Sequence, residues 1–143
     1  MPDYELVHTM TDYYDGPRGG IADYVGIPHV YESMWSDLDN NYADVFRLSP
    51  ITSDVFALAL EDWQIWLRWE TAFHEGNATQ ETHPALPNER RRHDELETLL
   101  KEKLVIDDNN VLLATADFRP RTDPQWSGRG FRPLEVKWLL ASQ

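Results

Sequence analysis

Residues 53–76, SDVFALALEDWQIWLRWETAFHEG, carry the clearest helical pattern in the chain and decide the predicted fold. Ser53 can accept hydrogen bonds from the free amides at the start of a helix, and Asp54 suits the positive end of the helix dipole. Gly76 can adopt the left-handed conformation that ends many helices. We therefore predict a helix over about 54–75.

The predicted helix has a narrow polar side and a wide apolar arc. At 100° per residue, the polar side chains cluster on one side of the helix. We expect this helix to be the main core element, covered on more than one side by a sheet or by a second helix. The apolar arc comprises Phe56, Ala59, Leu60, Trp63, Trp66, Leu67 and Phe73.

Glu70 interrupts the apolar arc at its centre, and His74 follows one turn later. A carboxylate buried among tryptophans needs a cation or hydrogen-bond donors. It is either an acid with a functional role, or it pairs with an arginine from another element or reaches solvent past the tryptophans, and we favour the structural pairing.

Four β-like segments precede the helix. The first alternates in polarity and ends at the turn signal Asp15, Gly16 and Pro17. A hairpin follows, in which Gly26 takes a positive φ and Pro28 begins the second arm at an unpaired position. The four predicted strands are 4–14, 20–24, 29–35 and 42–48.

A second, shorter helix and two strands follow the long helix. Asn88 is its predicted N-cap, and its apolar stripe is Leu96, Leu99, Leu100 and Leu104. The last strands alternate, with inward positions Leu112, Ala114, Ala116 and Phe118 in one and Leu134, Val136, Trp138 and Leu140 in the other. The pattern predicts one α+β domain over 1–143: a mainly antiparallel sheet of about six strands, barrel-like in form, packed on the long Trp-rich helix and the second helix.

The composition restricts the classes of partner. The 143 residues include 25 acidic and 13 basic side chains, for a formal net charge of −12, which repels phosphate backbones and anionic membranes. We therefore expect neither nucleic acid nor a membrane as partner. The chain has no cysteine, no long apolar run and no secretory signal pattern, so we expect a cytoplasmic protein.

One long motif resembles a known family. Residues 13–32 are YYDGPRGGIADYVGIPHVYE, and the chain also contains ALEDWQIWLRWETAFHEG and THPALP. Together these stretches resemble a family of small bacterial proteins of unknown function with the pattern YYDGPRxGxADYxGxPHxYE. The resemblance covers nearly the whole chain and implies a standalone domain, but it implies no activity, cofactor or catalytic residue.

Two regions could form a polar site. The hairpin offers an arginine fork beside acids, tyrosines and a histidine. A later loop gathers Arg119, Arg121, Arg129 and Arg132 around Trp126 and Phe131, which could hold a carboxylate or phosphate. In both regions the alternative is turn formation, sheet packing and charge balance. The candidate ligand- or partner-binding residues are Tyr14, Arg18, Asp23, His29, Tyr31, Glu32, Glu70, His74, Arg119 and Arg121, and no catalytic residue is assigned.

Metal and cofactor motifs are weak. Glu70 with His74 and Glu89 with His93 are acid and imidazole pairs at i, i+4, but a convincing third ligand is missing, and we predict no metal and no cofactor. Residues 90–92 are three arginines at the start of the second helix, and we expect them to face the acidic first third of the chain.

Three functions are compatible with these patterns. The first is a non-catalytic binding domain for a protein or a small ligand. The second is a small enzyme that uses Glu70, His74 or His29 as acid and base in a cleft near the arginine-rich loop. The third is an accessory protein without a defined site. We favour the binding domain.

Overall fold

A computed structural model describes residues 3–11, 18–36, 38, 41–121 and 133–140. The chain divides into two compact units. The barrel unit comprises Met1–Thr52, Val105–Pro120 and Leu134–Gln143, and the helical unit comprises Ser53–Leu104 and Arg121–Pro133. The arrangement is α+β, as predicted, and the single domain stays a prediction.

The barrel unit is a closed antiparallel sheet. Its six strands follow each other in chain order around the barrel, and the first strand closes it by pairing with the last. This confirms the barrel-like antiparallel sheet. The strands are β1 (Glu5–Thr11), β2 (Gly19–Tyr24), β3 (Ile27–Ser36), β4 (Asn41–Pro50), β5 (Leu112–Pro120) and β6 (Leu134–Leu140).

Aromatic rings fill the interior of the barrel. Tyr31 on β3 and Trp138 on β6 have ring centroids 5.6 Å apart, although their strands are not neighbours in the sheet. Phe46 and Phe118 complete this cluster, with centroids 5.8 Å apart. Because side chains alternate between the two faces of a strand, the predicted inward positions of β5 and β6 share this interior face.

The hairpin between β2 and β3 has the shortest possible connection. Tyr24 pairs with Ile27, and the two residues between them, Val25 and Gly26, have φ values of 53° and 74°. Positive φ values at both central residues are typical of the type I′ turn, whose twist matches that of the two strands. Gly26 has the positive φ that was predicted for it. The second arm begins at Ile27, one residue before the predicted Pro28.

The first strand is shorter than its prediction over 4–14. It ends at Thr11, and residues 12–14 lie outside the described residues. Its register with β2 shifts between Val7 and Thr9, which marks a β-bulge.

The helical unit contains α1 (Ser53–His74) and α2 (Arg90–Lys103), joined by a segment with short 3₁₀ turns at Gln80–Thr82 and Pro87–Glu89. The long helix agrees with its prediction to within one residue at each end. Gly76 has φ 80°, and the amide of Asn77 donates to the carbonyl of Ala72 at 2.7 Å, so the helix ends in the predicted left-handed turn.

The predicted start of the second helix was wrong. Asn88 lies inside the 3₁₀ turn before the helix, and Glu89 occupies the N-cap position without a side-chain hydrogen bond to the helix. Pro87 stands at the first position of that 3₁₀ turn, where its fixed φ and missing amide are tolerated.

The single apolar arc predicted for α1 is also incomplete. Ile65 and Trp69 are buried, although the predicted arc omits them, whereas Trp63 and Trp66 are only half-buried. Ile65 belongs to a core cluster with Ala85, Leu96 and Leu58, which joins α1 to α2. The helix therefore carries a buried stripe with Ile65 and Trp69 beside a partly buried one, and the pairing of α2 with the first could not be deduced from periodicity.

The three arginines at the start of α2 have their ion pairs within the helical unit. Both oxygens of Glu61 accept from Arg92, at 2.6 and 2.8 Å, while Arg90 and Arg91 pair with acids one turn later on α2. Nearby carboxylates therefore balance much of their charge within this unit, and the expectation that they face the acidic first third of the chain stays a prediction.

Neither helix of the described chain is both long and apolar enough to span a membrane.

Candidate functional site

Strand alternation separates the predicted hairpin residues. In antiparallel sheets, directly paired residues point to the same face. Ala22 pairs with His29, so His29 and Tyr31 share the interior face, whereas Asp23 and Glu32 lie on the outer face. The hairpin therefore does not bring its four polar residues together.

The two outer acids have partners on neighbouring strands. Asp23 lies 2.8 Å from Nε2 of His8 on β1, and both side chains are mostly buried. Glu32 pairs with Arg47, its direct neighbour on β4. Cross-strand charge pairs of this kind stabilise a sheet.

His29 is buried inside the barrel, with 6% of its surface exposed. Its Nδ1 donates to the carbonyl oxygen of Ile27 at 2.7 Å, and the ring of Tyr24 meets it edge-on. A carbonyl can only accept, so Nδ1 carries a proton. This bond fixes the ring orientation at the start of β3.

Tyr31 is the most unusual interior residue among those described. It is 1% exposed, and its hydroxyl has no hydrogen-bond partner among the described residues. The hydroxyl of Ser33, two residues further along the same face, is also buried without a partner there. Burial raises the pKa of the Tyr31 phenol, because an ionised phenolate is poorly stabilised in the apolar interior.

The predicted arginine-rich loop is described only at its edges. Arg119 pairs with Glu135 on β6 and lies 3.5 Å above the ring of Tyr4, whose hydroxyl bonds to Asp117. The amide of Arg121 donates to the carbonyl of Pro133 at 3.0 Å. The rest of the loop, including Arg129, Trp126, Phe131 and Arg132, lies outside the described residues.

Two further predicted site residues, Tyr14 and Arg18, come from the segment before β2. Tyr14 falls outside the described residues. Arg18 stands just before β2, and its carbonyl accepts from the amide of Ser33 at 2.8 Å. No ligand geometry follows from either position.

Glu70 on α1 is buried as predicted, at 2% exposure. Nε2 of His74 donates to its carboxylate at 2.8 Å, so the acid and the imidazole at i, i+4 are in contact, whereas the expected structural partner was an arginine from another element. Both residues belong to the helical unit, whereas His29 belongs to the barrel unit.

A cleft opens at the end of the barrel that carries the β2–β3 turn. Its volume is about 590 Å³. Two acids and two aromatic rings line it together with apolar side chains. The lining residues are Asp3, Glu5, Tyr24, Val25, Gly26, Trp138, Leu139 and Leu140.

Glu5 holds the turn at the mouth of this cleft. Its two carboxylate oxygens accept from the amides of Gly26 at 2.8 Å and Val25 at 3.1 Å. Glu5 pairs with Val136 on β6, so it points to the interior face. An acid therefore sits where a barrel interior is usually apolar.

Trp138 forms the inner wall of the cleft. Its indole Nε1 donates to the carbonyl oxygen of Asp23 at 3.0 Å, which fixes the ring plane. The rest of the indole is buried against the aromatic cluster. A fixed aromatic wall is a preorganised binding surface.

Sequence reasoning missed Asp3, Glu5 and Tyr24 as site residues and assigned Trp138 only to the core. The sequence signal that could have revealed this site is that Glu5 and Tyr24 carry polar groups at interior positions of β1 and β2. These residues come from both ends of the chain, and they meet only because β1 pairs with β6.

Comparison with known proteins gives no significant match: no family model, no curated protein and no solved structure matches this chain.

Proposed function

We propose that this chain is a non-catalytic binding protein whose barrel unit holds a small organic cation in the cleft at its end. The cleft itself is the observation that carries this proposal. Its volume of about 590 Å³ lies within the usual range for small-molecule sites, and the mouth of a barrel is a common place for them.

The lining supports a ligand with a charged head and an apolar body. Asp3 and Glu5 supply negative charge, and the aromatic rings of Tyr24 and Trp138 line the same cleft, where their quadrupoles favour a cation over an anion. Leu140 adds apolar surface on the same side. An amine attached to an aromatic or aliphatic group combines both requirements.

The charge of the whole chain supports the same ligand class. A formal net charge of −12 raises the local concentration of cations and lowers that of anions. An anionic ligand would have to approach two carboxylates at the mouth of the cleft.

The enzyme alternative stays a prediction. Glu70 and His74 pair with each other, and the Nδ1 proton of His29 is held by a backbone carbonyl. These contacts suit structural roles as well as catalytic ones, and none of the three residues lines the cleft. Family membership, bacterial origin and a cytoplasmic location are likewise proposals, resting on the resemblance and on composition.

Nuclear magnetic resonance titration with 2-phenylethylammonium tests the proposed function. We expect saturable binding that shifts the indole N–H signal of Trp138, assigned with a Trp138→Phe variant. The neutral analogue 2-phenylethanol should bind about tenfold more weakly, a difference of about 1.4 kcal/mol. Equal affinities for both compounds, or an unchanged Trp138 signal, would contradict a cation site.

A charge-matched pair of variants separates the cleft from general electrostatics. Glu5→Gln should reduce the affinity for the ammonium to about that for the alcohol. Glu102→Gln removes the same charge from an exposed position on α2 and should leave the affinity within about twofold. An equal loss in both variants would mean that the net charge, and not the cleft, attracts the ligand.

A further inference from the structure

His93 on α2 is 7% exposed, and its two ring nitrogens have different surroundings. Nδ1 lies 2.6 Å from Oδ1 of Asp62 on α1. Nε2 is buried and makes no hydrogen bond to a described residue. A buried polar nitrogen without a hydrogen bond is unfavourable, and a ligand at this position would satisfy it.

One carboxylate lies against the unpartnered nitrogen, and a second lies close to the same histidine. Oε2 of Glu97 is 3.0 Å from Nε2, close enough for a hydrogen bond but not aligned for one. One ligand atom each from His93, Asp94 and Glu97 lie within 4.8 Å of one another. The unpartnered nitrogen therefore faces Glu97, and Asp94 offers a third ligand atom beside this pair on the first turns of α2.

These distances suit ligands that share one metal ion. Zn²⁺ holds nitrogen and carboxylate ligands at about 2.0–2.2 Å, so two ligands of the same ion stand about 3–4 Å apart. The separation between Nε2 and Glu97 already has this value. The side chains of Asp94 and Glu97 are 56% and 67% exposed, so they can rotate toward an ion without repacking the core.

Asp62 prepares the imidazole for this role. With Nδ1 donating to a carboxylate, a neutral ring presents the lone pair of Nε2 to the cluster. A carboxylate behind a metal-binding histidine is the usual second partner of such sites, because it fixes the tautomer and increases ligand basicity. Asp62 is 31 residues away in the chain and reaches His93 only because α1 packs on α2.

We propose that His93, Asp94 and Glu97 bind a divalent first-row transition metal ion, with Zn²⁺ as the reference ion and Asp62 as a positioning residue. One imidazole and two carboxylates suit borderline ions of this class. Three protein ligands leave room for water on the metal. Binding draws Asp94 away from Arg90, which lies 3.3 Å from it.

Calorimetric titration of the tag-free, chelator-treated protein with zinc chloride tests the proposal. We expect one ion per chain with a dissociation constant below about 100 µM. Glu97→Gln and Asp94→Asn, both at exposed positions, should each weaken binding at least about tenfold. Glu102→Gln on the same helix removes the same charge and should change the affinity by less than about twofold.

Long-range ¹H–¹⁵N spectra of the five histidines provide a second readout. Zinc should shift Nε2 of His93 while its Nδ1 remains protonated, and Asp62→Asn should lower the fraction of this tautomer together with the affinity. Three results would overturn the proposal. The first is no saturable zinc binding with a dissociation constant below about 100 µM, and the second is an equal loss of zinc affinity in Glu97→Gln and Glu102→Gln. The third is a doubly protonated His93 ring whose signals zinc does not change.

Discussion

At Gly20 the backbone of β2 passes so close to β1 that a side chain would collide with it. A Cβ atom there would lie 2.1 Å from the carbonyl oxygen of Thr9 and 2.8 Å from its carbonyl carbon. Gly20 also has φ 147°, a conformation that other residues rarely adopt. The close approach sits beside the bulge of β1 and lets that strand bend as the barrel closes.

Gly20→Ala should destabilise the chain by at least about 3 kcal/mol, because both the collision and the backbone strain oppose it. Gly26→Ala is the matched control: its φ is also positive, but no heavy atom stands within 4 Å of the added Cβ. We expect a loss of about 1–2 kcal/mol there. Urea unfolding followed by tryptophan fluorescence measures both, and equal losses would contradict the close approach.

Tyr31 provides a second test at the scale of single residues. Removing a buried hydroxyl that has no partner should be neutral or stabilising, so Tyr31→Phe should raise the free energy of unfolding by up to about 1 kcal/mol at neutral pH. A loss of more than about 1 kcal/mol would show that the phenol has a partner, such as a buried water.

The same variant has an expected alkaline signature. Because burial raises the pKa of Tyr31 above that of the unfolded chain, the unfolded state loses this proton first, and stability falls as the pH rises above about 10. Tyr31→Phe removes this contribution. Its advantage over the wild type should therefore grow with pH, and a constant difference across the alkaline range would contradict the shift.

Among the elements, α1 carries a buried stripe beside a partly buried one. Ile65 and Trp69 lie on the stripe that meets the rest of the helical unit, and the indole of Trp69 donates to the hydroxyl of Thr82 at 3.0 Å. Glu70 lies on the adjacent stripe with Trp63 and Trp66, whose rings stack 4.8 Å apart. Helical periodicity merges such neighbouring stripes into one wide arc.

Truncating two leucines of α2 tests the packing of this unit. Leu96 is fully buried in the cluster with Ile65 and Ala85, so Leu96→Ala should cost about 2–5 kcal/mol. Leu99 is 37% exposed on the same helix, and Leu99→Ala should cost less than about 1 kcal/mol. Thermal and urea unfolding measure the difference between the two variants. Similar losses of stability would mean that both leucines are equally buried, as the predicted apolar stripe of α2 implied.

The ion pair between Arg68 on α1 and Glu89, at the end of the 3₁₀ turn before α2, predicts a loss of stability in acid. The guanidinium of Arg68 donates to both oxygens of Glu89, at 2.9 and 3.1 Å from Nε, and lowers the pKa of that carboxyl. A carboxyl group whose pKa is lower in the folded protein stabilises the fold at pH values above its pKa in the unfolded chain. This stabilisation is lost as the pH falls through the pKa of the folded protein. Arg68 is half-exposed, so the contribution is about 0.5–1 kcal/mol.

Glu89→Gln should therefore lower the free energy of unfolding at neutral pH by that amount and lose its deficit below about pH 4. Urea unfolding across this pH range measures the difference between the two proteins. Glu102→Gln serves as the control, because it removes a carboxylate that forms no ion pair among the described contacts. A deficit that stays constant into acid would show that the charge of Glu89 is not its source.

For the molecule as a whole, the excess of acids over bases gives the proposed cation site a dependence on salt. Long-range attraction is screened over about 10 Å at 0.1 M salt and about 3 Å at 1 M. Affinity for 2-phenylethylammonium should fall several-fold between low and high salt, while that for 2-phenylethanol stays nearly constant. Parallel titrations measure this, and identical salt responses would argue against electrostatic recognition.

Local patterns predicted much of the fold and little of the candidate sites. The Gly26 turn, the Gly76 helix end and the alternation of β5 and β6 all appear where expected. The predicted polar hairpin did not form one cluster, because alternation places His29 inside and Asp23 outside. A cluster in sequence becomes a cluster in space only when the strand period allows it.

The sequence by itself determined the turns, the strand faces and the extent of the long helix, because these depend on sterics and periodicity over a few residues. Only the tertiary structure decided that β1 closes on β6, which brings Glu5 to Trp138, and that α2 packs on one stripe of α1, which brings Asp62 to His93. Both depend on contacts between distant segments, and these are selected by how whole surfaces fit together rather than by any local pattern.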